Sequence, residues 1–263
     1  MVAAGTRLPA LFRPFVADPA GVGVFTDFDG TLAPIVDDPD SAVPVDGVVP
    51  VLEELAGRVA RVAVVSGRPV TFLERHFGRS PVHLSGLYGL QSVVDGERDD
   101  DPRAGAWREA VDDVVAAAGG DGPAGMYVEH KGLSVTLHYR EHPESADAVM
   151  AWAARQAARS GLELRRARMS VELHPPVGVD KGAVIAALAG GLAHVCFLGD
   201  DVGDLPAFAA LDRLRGDGVD VVKVVVRSAE LPPELAEAAD LTVDGPEEAL
   251  ALLRELAAAL PPG

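Results

Sequence analysis

Four short apolar runs punctuate the chain: "GVGVFTDFDG", "RVAVVSGRP", "AHVCFLGDD" and "VDVVKVVV". Each is rich in β-branched residues and each gives way to polar or glycine-rich residues. Runs of this kind predict strands buried on both faces of a parallel sheet. Between them the apolar spacing lengthens to the helical period. "VVPVLEELAGRV" reads as a helix before the second strand. "DKGAVIAALAGG" opens with Asp180 in an N-cap position and closes on glycines. "GPEEALALLRELAAAL" starts with Pro246 and carries acids in its first turn. Strands alternating with helices predict an α/β fold, a doubly wound, mainly parallel sheet.

The middle of the chain has another rhythm. Residues 95–105, "DGERDDDPRAG", are charged and contain Pro and Gly, which predicts a linker or solvated loop. A helix is expected over 107–118. "GMYVEHKGLSVTLHYR" then alternates with period two: Val135, Leu137 and Tyr139 on one side, Ser134, Thr136, His138 and Arg140 on the other. This predicts a half-exposed strand, with "HKGL" before it as a hairpin turn. A helix over 143–160 is closed by Gly161, and "LELRR" and "MSVELHP" fit two further strands. The chain is therefore divided into a core over 1–103 and 175–263, and an inserted α+β cap domain over 104–174.

The composition narrows the classes of function. Hydrophobic residues make up 48% and charged residues 24% of 263, as in ordinary globular proteins. A net charge of −17 repels nucleic acid and anionic membranes, so neither is expected as a partner. It also means that an anionic substrate needs a local cation. The one cysteine, Cys196, sits mid-strand and reads as a core thiol; it permits no internal disulfide and fits a reducing compartment. No run approaches the ~20 apolar residues of a membrane span. The N-terminal "MVAAGTRLPALFRPF" is broken by two prolines and lacks the apolar core of a secretion signal. A cytoplasmic protein is expected. The sequence specifies no oligomeric state, and a monomer is the simpler expectation.

The chemistry gathers at the strand ends. In an open α/β sheet, ligands bind outside the carboxyl ends of the strands. The first run ends in Asp27, Asp29, Gly30 and Thr31, the second in Ser66, Gly67 and Arg68, and the third in Asp200 and Asp201, with Asp204 close behind. Lys181 opens the helix before that third strand, where its charge opposes the helix dipole. Carboxylates brought this close call for a hard cation, for which Mg²⁺ is the natural choice. A phosphoryl group held between the cation, Lys181 and the Ser66 hydroxyl would account for the lysine. Asp27 would then attack phosphorus to give an aspartyl phosphate. Asp29 would protonate the leaving oxygen and later deprotonate the attacking water. Taken one at a time these are ordinary turn, cap and surface residues. Their joint occurrence at matching positions is what points to a site.

"DFDGTL", "VVSGR", "DKG" and "LGDDVGD" resemble the four signature motifs of the haloacid dehalogenase superfamily of phosphotransferases. The longer segments "FTDFDGTLAPIVDDPDSA", "LSGLYGLQ", "VEHKGLSVTLHYR" and "VELHPPVGVDKGAV" resemble the trehalose-6-phosphate phosphatase family, over about residues 22 to 210. The resemblance implies that Asp27 is the nucleophile and Asp29 the general acid/base, with Ser66 and Lys181 clamping phosphate. It implies Asp27, the Asp29 main-chain carbonyl and Asp200 as Mg²⁺ ligands, with Asp201 and Asp204 behind them. Arg68, Glu129, Lys131 and Glu172 would bind the glucose hydroxyls. His138 and Arg140 match the family pattern but are read as structure on a strand face. The insert matches the family's α+β cap class.

One departure is visible. The family commonly continues its fourth motif as GDD-x-T-D-E-D, whereas this chain has Gly203 for Thr and Leu205-Pro206 for the acidic pair. The resemblance implies hydrolysis of trehalose 6-phosphate, a small-molecule sugar phosphate, in trehalose biosynthesis. A phosphatase of another disaccharide or pseudo-disaccharide phosphate, such as sucrose 6-phosphate, stays open. So does a non-catalytic sugar-phosphate sensor, against which the retained Asp27, Asp29, Lys181 and Asp200 argue.

Overall fold

A computed structural model describes residues 8–36, 38–167, 169–228 and 231–262, apart from the side chain of Ala167. The reading of the N-terminus as lacking a secretion signal rests in part on residues 1–7, which lie outside the described residues. In chain order the first elements are α1 (Arg13–Ala17), β1 (Val22–Thr26), α2 (Val48–Ala56), β2 (Arg61–Val65), α3 (Val70–Phe77), β3 (His83–Gly86), β4 (Gln91–Val94) and β5 (Glu97–Asp100). Then follow α4 (Pro102–Gly105), α5 (Arg108–Asp121), β6 (Tyr127–His130), β7 (Val135–His138), α6 (Ala146–Ser160), β8 (Glu163–Ala167) and β9 (Ser170–His174). The last are α7 (Lys181–Leu188), β10 (His194–Gly199), α8 (Leu205–Gly216), β11 (Asp220–Arg227), α9 (Pro233–Ala238), β12 (Leu241–Asp244) and α10 (Gly245–Ala259). No described helix is long and apolar enough to cross a membrane.

The chain divides into two compact units, one running to Arg98 and resuming at Val179, the other comprising Asp99–Gly178. The second unit extends a few residues beyond 104–174 at each end. The first unit is built on an eight-stranded sheet in the order β12-β11-β10-β1-β2-β3-β4-β5. Pairing is parallel from β12 to β3 and antiparallel between β3 and β4. The strand order reverses at β1, which pairs with β2 on one side and β10 on the other.

Alternation explains why the central strands read as unbroken apolar runs. Val22 and Val24 of β1 face the layer holding Leu52 and Leu253, whereas Phe25 faces the layer holding Ile185 and Phe208. Both faces of the sheet are covered, so every position along the strand is apolar. Cys196 is fully buried on β10, as expected, and burial pushes its thiol up to about 12.

The linker predicted over residues 95–105 is instead ordered. Asp95 (φ 52°) and Gly96 (φ 80°) make a tight turn, and the charged segment after it pairs with β4 as the sheet's edge strand. An edge strand needs only main-chain bonds on one side, and exposed charges on it discourage pairing with another chain.

The second unit is a four-stranded antiparallel sheet, β6-β7-β9-β8, packed on α5 and α6 through Val111, Val135, Leu137, Trp152 and Leu173. The turn between β6 and β7 closes through the Lys131 N–H and Ser134 carbonyl, with Gly132 at φ 82°. The strand predicted as half-exposed is buried on both faces, since Ser134 and Thr136 are as enclosed as Val135 and Leu137. β7 lies inside the sheet, where its short polar side chains are flanked by the longer Glu129 and Glu172 at the paired positions.

Candidate active site

The register of the central strands sets the stage. Thr26 lies opposite both Leu198 and Val64, so β1, β2 and β10 end within one residue of one another. The residues that follow, Asp27, Ser66 and Asp200, therefore leave the same edge of the sheet, at the reversal in strand order where α/β sheets bind ligands. The Asp27 N–H still donates to the Leu198 carbonyl (2.8 Å), which ties the first carboxylate to the sheet.

Lys181 is the hub. Its ammonium lies 2.8 Å from Asp27 Oδ1 and 2.6 Å from Asp204 Oδ1, and all three residues are buried. It opens α7 because Asp180 caps the helix, accepting from the Ala183 N–H at 2.8 Å. Burial alone would lower the Lys181 pKa, but Asp204, Asp27 and Asp201 overcome it and hold the group well above its ordinary value. Burial raises the Asp27 pKa well above normal, and Asp204, Asp200 and Asp201 add to this against the opposing ammonium.

Asp200 occupies the tightest place. Gly30 stands beside it with φ +74°, and a β-carbon there would meet Asp200 Oδ2 at 2.0 Å. Thr31 donates its hydroxyl to Asp200 Oδ1 (3.3 Å), while Oδ2 is buried with no hydrogen-bond partner. Burial, then Asp204 and Asp201, push the Asp200 pKa up to about 8 despite Lys181 and a hydrogen bond to Ser228.

Asp204 is already engaged. Its Oδ2 accepts from the main-chain N–H groups of Asp200 (2.9 Å) and Asp201 (3.2 Å), and its Oδ1 from Lys181. Asp201 and Asp204 form a reciprocal capping box, and Asp201 also accepts from the Gly203 N–H (2.8 Å). The departures in the fourth motif fit this frame. Gly203 supplies the capped N–H, and Leu205-Pro206 open α8, whose first turn tolerates proline.

Asp27, Asp200 and Asp204 each offer an oxygen within 4.8 Å of the others. With both Asp204 oxygens engaged, Asp27 and the orphaned Asp200 Oδ2 are left to face a cation. A buried acceptor without a donor, in an all-oxygen set, fits a hard divalent ion.

Asp29 and Arg68 meet directly. Arg68 Nε reaches Asp29 Oδ2 (2.8 Å) and its terminal nitrogen reaches Oδ1 (2.7 Å), a two-pronged fork. The guanidinium also lies 4.5 Å from the centre of the Phe72 ring. Arg68 was expected among the sugar-binding residues, and here it holds the carboxylate expected to move protons. Ser66 is buried and its hydroxyl accepts from the Arg68 N–H (3.1 Å), so its own proton remains to donate.

In the second unit, Glu129, Thr136, Glu172 and Arg165 form one row across the sheet. Lys131 Nζ lies 3.7 Å from Glu129 Oε2, and Ser134 donates to Glu172 Oε1 at 2.6 Å. His138, read from sequence as strand-face structure, has its Nε2 2.9 Å from Glu129 Oε2. Thr31 and His138 are the residues that sequence reasoning left without a role. Their signal was weak, since each is an unexceptional turn or strand residue until its carboxylate partner is placed.

The doubly wound, mainly parallel sheet with an inserted α+β unit is the fold of the haloacid dehalogenase-like class. Within that class the particular family follows from comparison. A family model described as Trehalose-phosphatase matches residues 25–247, and the chain belongs to that family. A trehalose-phosphate phosphatase of Mycobacterium avium (strain 104) is 36% identical over 250 residues, covering 89% of this chain and 61% of that protein. One of Mycobacterium leprae (strain TN) is 35% identical over 239 residues, covering 85% and 54%. The chain thus spans little more than half the length of these curated relatives. Among solved structures, the C-terminal domain of C. albicans trehalose-6-phosphate phosphatase aligns with a TM-score of 0.76 at 25% identity, covering 99% of this chain and all of that one.

Proposed function

We propose that this chain hydrolyses trehalose 6-phosphate to trehalose and phosphate, with Mg²⁺ as cofactor. The observation that carries the reading is the Lys181 ammonium shared by Asp27 and Asp204, beside a buried Asp200 oxygen with no donor. That arrangement binds a phosphoryl group and keeps a carboxylate poised to attack it. Asp27, Asp200 and the main-chain carbonyl of Asp29 would hold the Mg²⁺, which when bound neutralises charge on the carboxylates and phosphoryl oxygens.

Asp27 attacks phosphorus and forms the aspartyl phosphate as the sugar oxygen leaves. Asp29 gives that oxygen its proton, then takes one from the water that cleaves the intermediate. Both Asp29 oxygens sit in the Arg68 fork, so the fork opens before Asp29 reaches the leaving oxygen. Lys181 and the Ser66 hydroxyl hold the phosphoryl oxygens, while Asp204 and Asp201 fix Lys181 and the loop after β10. Glu129, Lys131 and Glu172 bind sugar hydroxyls, each of which both donates and accepts. We place the protein in the cytoplasm, in keeping with its single buried thiol.

Phosphate release from a panel of sugar phosphates, with and without chelator, tests the reading. Trehalose 6-phosphate is expected to lead the panel, activity to vanish in EDTA, and Mg²⁺ to restore it. A panel led by sucrose 6-phosphate would replace the substrate assignment, and full activity in chelator would remove the cation.

A further inference from the structure

A groove of about 590 Å³ lies between α5 and α6 in the second unit, lined only by residues of that unit. Its volume falls in the range of roughly 300–1,000 Å³ usual for small-ligand pockets. Trp107 lines it from the N-cap of α5, Glu109 and Asp113 from the first turns of that helix, and Gln156 and Arg159 from the last turns of α6.

Gln156 is the informative residue. It is only 4% exposed, yet among the described residues its side-chain amide has no hydrogen-bond partner; only its main-chain carbonyl is used, by Ser160. The amide atoms are not sealed in but open to the groove, so an otherwise enclosed side chain presents an unused donor and acceptor to whatever binds there. Trp107 repeats the pattern. The other tryptophan, Trp152, donates its indole N–H to Asp121 (3.1 Å), whereas the Trp107 N–H has no partner among the described residues. The Trp107 ring packs over Gly161, where a β-carbon would come within 3.2 Å of it. Glu109 and Asp113 stand four apart on one helix face, an unfavourable like-charge spacing, and neither has an ion-pair partner among the described residues.

Two carboxylates, one amide and one indole N–H around a half-buried aromatic ring match a ligand with many hydroxyls and an apolar ring face. Two carboxylates against the single Arg159, in a chain of net charge −17, reject a phosphorylated ligand. We propose that this groove is a second binding site, for a neutral saccharide of one or two rings. It would admit an unphosphorylated sugar and exclude a sugar phosphate. The site stands on the second unit alone and does not rest on the hydrolytic reading.

Trehalose and glucose titrated into the full chain carrying Trp152→Phe report through Trp107, the sole remaining indole. The indole N–H resonance of Trp107 in the unaltered chain gives the same readout if that variant folds poorly. A saturable response is expected. Gln156→Leu, and separately the pair Glu109→Gln and Asp113→Asn, should each weaken it about tenfold, while turnover of saturating substrate is unchanged. No saturable response up to about 100 mM sugar, a response intact in both variants, or a response to spermidine and not to sugar would each overturn the proposal.

Discussion

Asp200→Asn is expected to stabilise the metal-free protein and to abolish its activity. Asp200 is buried, has one oxygen with no donor and lies beside two more carboxylates, which together raise its pKa from 3.8 to about 8. Between those two values the folded state holds a proton that the unfolded state has lost. Stability therefore falls as pH rises from 3.8 towards about 8, and levels off beyond. From 3.8 to pH 7, at about 1.4 kcal/mol per pH unit, the wild type loses about 4 kcal/mol. Asparagine carries no charge and loses none of this, but its buried amide needs donors and acceptors that the site does not fully supply, at about 1–3 kcal/mol. The net gain at pH 7 is about 2 kcal/mol; it vanishes at about pH 5 and reverses by about pH 4, where the wild type has lost almost nothing and the asparagine still carries its penalty. Urea unfolding of both proteins in EDTA, from about pH 4 to about pH 8, measures it directly. Mg²⁺ then reverses the order, because only the wild type gains binding energy, about 2.7 kcal/mol at a hundredfold excess over Kd. A variant less stable than wild type at pH 7 in EDTA, or a flat wild-type profile, would refute the electrostatic account of this site.

Three further outcomes follow from the same geometry. Lys181→Met strands Asp27 and Asp204 in a buried pocket and should cost about 3–5 kcal/mol by denaturant titration; a loss under 1 kcal/mol would mean that the pair contributes little. Gly30→Ala combines a strained φ with an overlap against Asp200, so at least about 1–3 kcal/mol should be lost together with activity, and an unaltered melting temperature would contradict the packing. Asp29→Asn breaks only a partly exposed ion pair, worth about 1 kcal/mol or less. It should nonetheless slow turnover by about 10²–10⁴, and a variant with wild-type turnover would dismiss Asp29 as the acid/base.

The alternation of apolar runs and helical spacings determined the α/β class, because strands covered on both faces must be apolar at every position. The ends of those runs also disclosed Asp27, Ser66, Lys181 and Asp200, since a charged or hydroxyl residue closing a buried strand, or a lysine opening a helix, stands out in one dimension. The order of the residues cannot say which polar groups meet. That depends on register and side-chain direction across distant segments. Only the folded chain pairs Arg68 with Asp29, turns both Asp204 oxygens inward, leaves Asp200 Oδ2 without a donor and sets His138 against Glu129. The charged stretch at 95–105 shows the same limit from the other side. Composition marks it as solvent-exposed, and so it is, but solvent exposure does not distinguish a loop from an edge strand. A free strand edge and the Asp95-Gly96 turn made that choice, and both exist only once β4 is in its sheet.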